Sequence, residues 1–228
     1  YRWFLNEGPL ERLRVEGQAQ LTLAERLSMA TSVSASFNNG RLSAEKVLAT
    51  LAPLAREEVA QLALVPLKTF EYVLEHELTP EQLPQARSYL IDLYRPVLSR
   101  LEAKRKAGGL EGSDRMLEEG VIEFLAYTAR DPKLRADLRR RGQAYVGWKG
   151  DGRIHPEGVD EGLASVALGV AVQEGDDAFF DALVGRLETT TDPAVRYHLT
   201  RAIRRATAPG QREKVRALLT RPVLRFNE

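Results

Sequence analysis

Residues 192–206 read Asp192-Pro193-Ala194-Val195-Arg196-Tyr197-His198-Leu199-Thr200-Arg201-Ala202-Ile203-Arg204-Arg205-Ala206. Asp192 before Pro193 is a helix opening. The aspartate carboxylate can accept from the first amides, and proline has no N–H to satisfy at the first helical position. At 3.6 residues per turn, Val195, Leu199, Ala202 and Ala206 then fall on one narrow stripe, the pattern of a helix laid against a core. Arg201, Arg204 and Arg205 lie away from that stripe. The opening recurs upstream: Asp131-Pro132-Lys133-Leu134-Arg135 shares the pattern D-P-x-x-R, and it too leads into a basic amphipathic helix.

The same punctuation extends along the chain. Thr22-Leu23-Ala24-Glu25 is a capping box, opening a helix that runs to Phe37 and stops at Asn38-Asn39-Gly40. Ser43 caps a helix that Pro53 ends. A longer helix is expected from 56 to 77, with a kink or break at Pro66. Thr79-Pro80 opens the next, which runs towards Lys106 past Pro96 and stops at Gly108-Gly109. Ser113, Asp131, Pro156, Asp176, Asp192 and Pro209-Gly210 open the remaining helices, and residues 147–156 form the clearest loop. Starts at 113, 131, 156, 176, 192 and 210 lie 16–25 residues apart, so helix pairs recur about every 35–45 residues. That period predicts an all-α, HEAT-like α-α superhelix, a solenoid of about ten helices. A strand signal is found only in residues 1–5, the aromatic string Tyr1-Arg2-Trp3-Phe4-Leu5. The chain starts there without Met, which reads as a cut inside a longer protein. The expected division is residues 1–8 as the end of a preceding β-domain strand and its linker, and 9–228 as the helical-repeat domain.

Composition restricts the chemistry. The 228 residues contain no Cys, so disulfides, thiol nucleophiles and thiolate metal sites are excluded. Only three His occur: His76, His155 and His198. The string His76-Glu77-Leu78-Thr79-Pro80 begins as a zinc-binding H-E-x-x-H does, but Pro80 stands where the second His must be. His76 is expected at a helix C-terminus, His155 in a loop, and His198 half-buried beside the apolar stripe of its helix. No G-x-S-x-G string is present, and the glycines at 147–152 lack the phosphate-loop pattern. Neighbouring acids such as Glu57-Glu58, Glu118-Glu119 and Asp176-Asp177 point about 100° apart on a helix, so they make no catalytic pair. No catalytic and no metal-binding residue is therefore assigned. The longest apolar runs, at 62–67 and 166–172, fall far short of the roughly 20 residues of a membrane span. No membrane partner and no targeting signal is read, and with zero Cys the expected location is cytoplasmic.

Net charge is +1, from 33 Lys+Arg against 32 Asp+Glu, which argues against a dedicated nucleic-acid partner. The balance conceals two blocks. Residues 156–192 hold nine acids and one Arg, a net of −8; residues 193–228 hold nine Lys/Arg and two acids, a net of +7. Either acidic and basic helices lie side by side and neutralise each other, or the basic helix presents a surface to an anion such as a peptide's C-terminal carboxylate. Arginine suits carboxylates because its planar fork binds both oxygens.

Several strings, in order and spacing, resemble the C-terminal helical domain of the gluzincin zinc aminopeptidases of the aminopeptidase N and puromycin-sensitive type. Tyr1-Arg2-Trp3 is similar to the end of the strand that leaves the family's small β-domain. Leu23-Ala24-Glu25-Arg26-Leu27 followed by Gly40-Arg41-Leu42-Ser43 resembles an early helix pair. Gly175-Asp176-Asp177-Ala178-Phe179-Phe180-Asp181-Ala182-Leu183 and the Arg196 helix resemble late repeats. In that family H-E-x-x-H and G-x-M-E-N lie upstream, and neither is in this chain. The resemblance therefore implies a domain role: a helical bowl that covers the active site of an upstream catalytic domain of the same polypeptide and shapes the peptide-substrate cavity. Zinc is expected in that catalytic domain, and this chain holds no cofactor. Peptide substrates are the implied ligands. No family arginine is carried over by alignment. Arg201, Arg204 and Arg205 are assigned to the peptide C-terminus from their helix face alone. The alternative is a free-standing HEAT-like scaffold for a protein partner.

Overall fold

The computed structural model describes residues 3–221 and 223–225, with Glu7 described by its backbone alone. The described residues are all-α, with no strand among them. Tyr1 and Arg2, the first two residues of the aromatic string, lie outside the described residues; residues 3–5 carry no strand pairing. The chain divides into two units, Tyr1–Arg130 and Asp131–Glu228.

The first unit contains α1 (Glu7–Arg12), α2 (Leu23–Asn38), α3 (Ala44–Ala55), α4 (Ala60–Tyr72), α5 (Leu83–Gly108) and α6 (Gly112–Tyr127). The capping box forms as the sequence dictates: the Glu25 amide donates to Thr22 Oγ1, and the Glu25 carboxylate accepts from the Thr22 amide at 2.8 Å. Gly40 ends the segment at φ +69°, a left-handed conformation that glycine adopts without a Cβ clash. α4 packs against α2, α3 and α6. Its core side chains include the fully buried Leu62 and Phe70, and Tyr94 of α5 donates from its hydroxyl to the Ala63 carbonyl at 3.1 Å.

Pro53, expected to end its helix, lies inside α3, and Pro66 and Pro96, read as possible kinks, lie inside α4 and α5. An interior proline costs roughly 3 kcal/mol. Burial of each large neighbour such as Leu62 or Phe70 returns about 1.5–3 kcal/mol, so packing wins over local propensity. Residues 56–59 separate α3 from α4, so the expected 56–77 helix starts late; it ends in a π-helical turn, Val73–Glu77. Pro80 belongs to a turn rather than a helix start. The Thr79 amide donates to Gln82 Oε1 at 3.0 Å, and α5 begins only at Leu83. Ser113 falls within the first turn of α6, whose N-cap is Glu111.

The second unit contains α7 (Pro132–Tyr145), α8 (Glu161–Glu174), α9 (Asp177–Thr189), α10 (Pro193–Ile203) and α11 (Pro209–Leu218). Both Asp-Pro openings act as read. Asp131 accepts from the Lys133 and Leu134 amides, and Asp192 from the Ala194 and Val195 amides. Pro156 starts only a short 3₁₀ turn; α8 is capped by Asp160. α8 packs against α7 and α10, and α9 against α10 and α11. Contact with the sequence neighbour and with the next helix but one recurs in both units, an order compatible with stacked helix pairs. α8 is apolar on all sides, with Leu168, Val170 and Ala171 fully buried, as befits a central helix.

Candidate functional site

α10 sorts its residues by face. Val195, Leu199, Ala202 and Ala206 are all buried, as the stripe requires. The opposite face of α10 and the turn after it border a cavity of about 670 Å³ lined by Pro193, Tyr197, Thr200, Arg201, Arg204, Arg205 and Arg225. The structure thus brings the three sequence-assigned arginines to one concavity. The helix was expected to continue to about 206. It stops at Ile203, and the chain tightens: the Arg205 amide donates to Ala202 O at 2.9 Å. That turn carries Arg204 and Arg205 round the helix end.

Local contacts shape the lining. Arg201 Nη1 donates to Tyr197 Oη at 3.0 Å, and its guanidinium lies over the Tyr197 ring, 5.5 Å from the centroid. These residues are one turn apart, the spacing that makes side chains neighbours on a helix. The Thr200 hydroxyl is turned back onto the carbonyls of Arg196 and Tyr197. Arg225 Nη2 reaches Thr191 O at 3.5 Å. The segment bearing Arg225 is tied down by Arg196, a buried arginine of α10. Arg196 Nη2 donates to Val223 O at 2.7 Å, while Nη1 donates to Leu187 O at 2.7 Å and Thr190 O at 3.1 Å. One side chain therefore joins the end of α9 to residue 223. Tyr197, Thr200, Pro193 and Arg225 were not singled out in the sequence. Tyr197 has a local signal, four residues before Arg201 on the same face. Arg225 has none, because only the return of the chain after α11 brings it there.

Part of the basic block pairs with the acidic one. On α11, Lys214 Nζ sits 2.7 and 2.8 Å from the Asp181 carboxylate oxygens of α9, which raises its pKa, and Arg221 pairs with Glu188. Such exposed pairs are screened by solvent and add little to stability.

The histidines have structural partners. His198 is buried, and its Nδ1 lies 2.9 Å from Ser165 Oγ. Burial holds its imidazole below the usual histidine range. A serine beside a histidine is half of a nucleophilic site, but Ser165 lies inside α8 with its own amide and those after it spent on the helix, and no oxyanion-binding pair of N–H groups is formed beside it. His155 lies in the loop between α7 and α8. Its Nε2 is 3.0 Å from Asp151 Oδ1 and its Nδ1 is 3.2 Å from Glu157 Oε1. Those hydrogen bonds, Asp151 first, raise its pKa. Gly147 (φ +57°) fits this loop because a Cβ there would lie 2.8 Å from the Arg153 backbone. His76 sits in the π-helical turn after α4, beside Tyr72. Among the described residues no three His, Asp or Glu side chains are grouped to hold a metal ion. Nor is any helix among them long and apolar enough to cross a membrane.

A comparison with curated proteins finds no match. A family model described as the ERAP1-like C-terminal domain matches residues 1–225, nearly the whole chain. The chain belongs to that family, the C-terminal domain of the gluzincin aminopeptidases.

Proposed function

We propose that this chain serves as the non-catalytic C-terminal domain of a zinc-dependent aminopeptidase. Its helices form a HEAT-like superhelix that covers the active site of an upstream catalytic domain and shapes the peptide-substrate cavity. Arg201, Arg204 and Arg205 hold the peptide's C-terminal carboxylate. The observation that carries this reading is their convergence, with Arg225, on one cavity of about 670 Å³. That volume lies within the range of ligand pockets, roughly 300–1,000 Å³, and guanidinium forks match a carboxylate. The hydrolytic chemistry, with its zinc, belongs to the catalytic domain, because this sequence contains neither H-E-x-x-H nor G-x-M-E-N.

The test has two arms. Purified chain incubated with fluorogenic aminoacyl substrates releases no product, and metal analysis finds no stoichiometric zinc. Fluorescence anisotropy shows a short labelled peptide with a free C-terminus binding about tenfold more tightly than its C-terminal amide, the loss expected for one charge-assisted contact. Hydrolysis, stoichiometric zinc or equal binding of acid and amide refutes the reading.

A further inference from the structure

We infer that the open end of the α5–α6 hairpin is a binding site for a doubly negative oxyanion, a phosphate group, held between Arg87 and Arg130. The inference is independent of the cavity on α10. A short connection, 109–111, joins α5 to α6, so the two helices run antiparallel. Lys104 Nζ donates to Asp114 Oδ2 at 3.0 Å, and the ring centroids of Tyr94 and Phe124 lie 5.5 Å apart. Both pairs obey one register. Continued from there, it sets Arg87, in the second turn of α5, opposite the segment that leaves α6 and carries Arg130. The two charges act on each other: burial first, and Arg130 second, lower the Arg87 pKa.

No carboxylate offsets this pair. Among the described residues neither guanidinium makes a hydrogen bond or an ion pair, and Arg87 Nε is buried without a partner. Arg87 is half-buried and Arg130 exposed, so their Nη ends stay open to solvent. The acids at this end are engaged elsewhere: Glu71 accepts from Thr128 Oγ1 at 3.4 Å, and Asp131 accepts from the Lys133 and Leu134 amides that it caps. A guanidinium that has lost water at Nε without gaining a bond attracts an anion more strongly than a fully exposed one, because its surroundings are less polarisable. The positive end of α5 and the negative end of α6 meet here and offset each other, so the two arginines set the local field. A carboxylate brings one charge and two oxygens, which one guanidinium fork satisfies. A phosphate brings close to two charges and further oxygens, so forks arriving from two helices can each take an edge of it.

The experiment titrates the 228-residue chain with sodium phosphate at fixed ionic strength and a pH of about 7.5, where phosphate is mainly dianionic, by isothermal titration calorimetry. Phosphate binds saturably at one site, and sodium acetate binds about tenfold more weakly, the loss of one charge-assisted contact. Arg87→Gln weakens phosphate binding about tenfold, and so does Arg130→Gly. Arg130 sits at φ +56°, a conformation glycine adopts freely, so that substitution removes the guanidinium without straining the fold. A phosphoserine peptide is titrated beside its serine counterpart. Tighter binding of the phosphopeptide identifies a peptide-borne phosphate, whereas binding of inorganic phosphate with no gain from phosphoserine identifies the free ion; either result supports the site. Equal binding of acetate and phosphate, phosphate binding that survives both substitutions, or no binding gain from phosphate in either form overturns the inference. None of these results bears on the α10 cavity, so the proposed function stands or falls separately.

Discussion

Gly142 offers a severe check on the packing of the second unit. It lies in α7 against the backbone of α8. A Cβ built there would be 2.7 Å from the Ala167 carbonyl carbon and 3.0 Å from the Leu168 amide nitrogen, and closer still to the Ala167 oxygen. Two effects compete in Gly142→Ala. Alanine is the better helix former by about 1 kcal/mol. The obstacle, however, is backbone, which no rotamer change can move, so α7 must retreat by roughly half an ångström or more. A gap of that size forfeits about a quarter to a half of the dispersion attraction across the interface. That interface includes Leu138 and Tyr145, each about 2% exposed. Overpacking of this kind costs about 1–3 kcal/mol, occasionally more. With backbone as the obstacle the upper end applies, and the net expectation is destabilisation by about 2 kcal/mol. Gly185→Ala in α9 is the matched control, because nothing lies within 4 Å of its Cβ position. There only the propensity gain of about 0.5–1 kcal/mol remains. Urea denaturation followed by circular dichroism reads both changes. A Gly142→Ala chain as stable as the parent would refute the close approach of α7 to α8.

Further outcomes follow from other residues. Arg196→Met removes three bonds to main-chain carbonyls at the end of α9 and at residue 223, and urea denaturation should show a loss of about 2–4 kcal/mol. Asp192→Ala deprives two amides of their cap and should cost about 1–2 kcal/mol by the same assay. The histidines should titrate in opposite directions from the ordinary value of 6.5, His155 above it and His198 below, in proton NMR of the ring resonances. His155, raised by Asp151 and Glu157, contributes stability that is full below 6.5 and lost as pH rises through its folded pKa. His198, lowered by burial, contributes stability present above 6.5 and lost as pH falls through its folded pKa.

What the sequence made legible was mostly local. Thr22 and Glu25, Asp131, Asp176 and Asp192 each act within three residues, so the caps they form could be read directly. The Val195–Leu199–Ala202–Ala206 stripe needed only the helical period. Prolines misled where a helix continues past them, as at Pro53, or where a turn satisfies the freed groups, as at Pro80. At the cavity, the face of α10 accounts for Arg201, whereas the turn after Ile203 places Arg204 and Arg205. Their meeting with Arg225 depends on α11 and on the Arg196–Val223 bond, a contact across 27 residues that no sequence pattern announces. The shared D-P-x-x-R motif also hides a difference. Arg135 pairs with Glu174 and Gln173 at the end of α8, whereas Arg196 is buried on carbonyls.

The account stands most directly on whether a peptide C-terminus reaches α10. Side-chain Nε–Hε NMR of the arginines reports each guanidinium separately. On addition of a peptide with a free C-terminus, the resonances of Arg201, Arg204 and Arg205 should shift together, while those of Arg135 and Arg186 stay in place and the amidated peptide leaves all five unmoved. Equal shifts with acid and amide, or shifts confined to arginines outside the cavity, would contradict it.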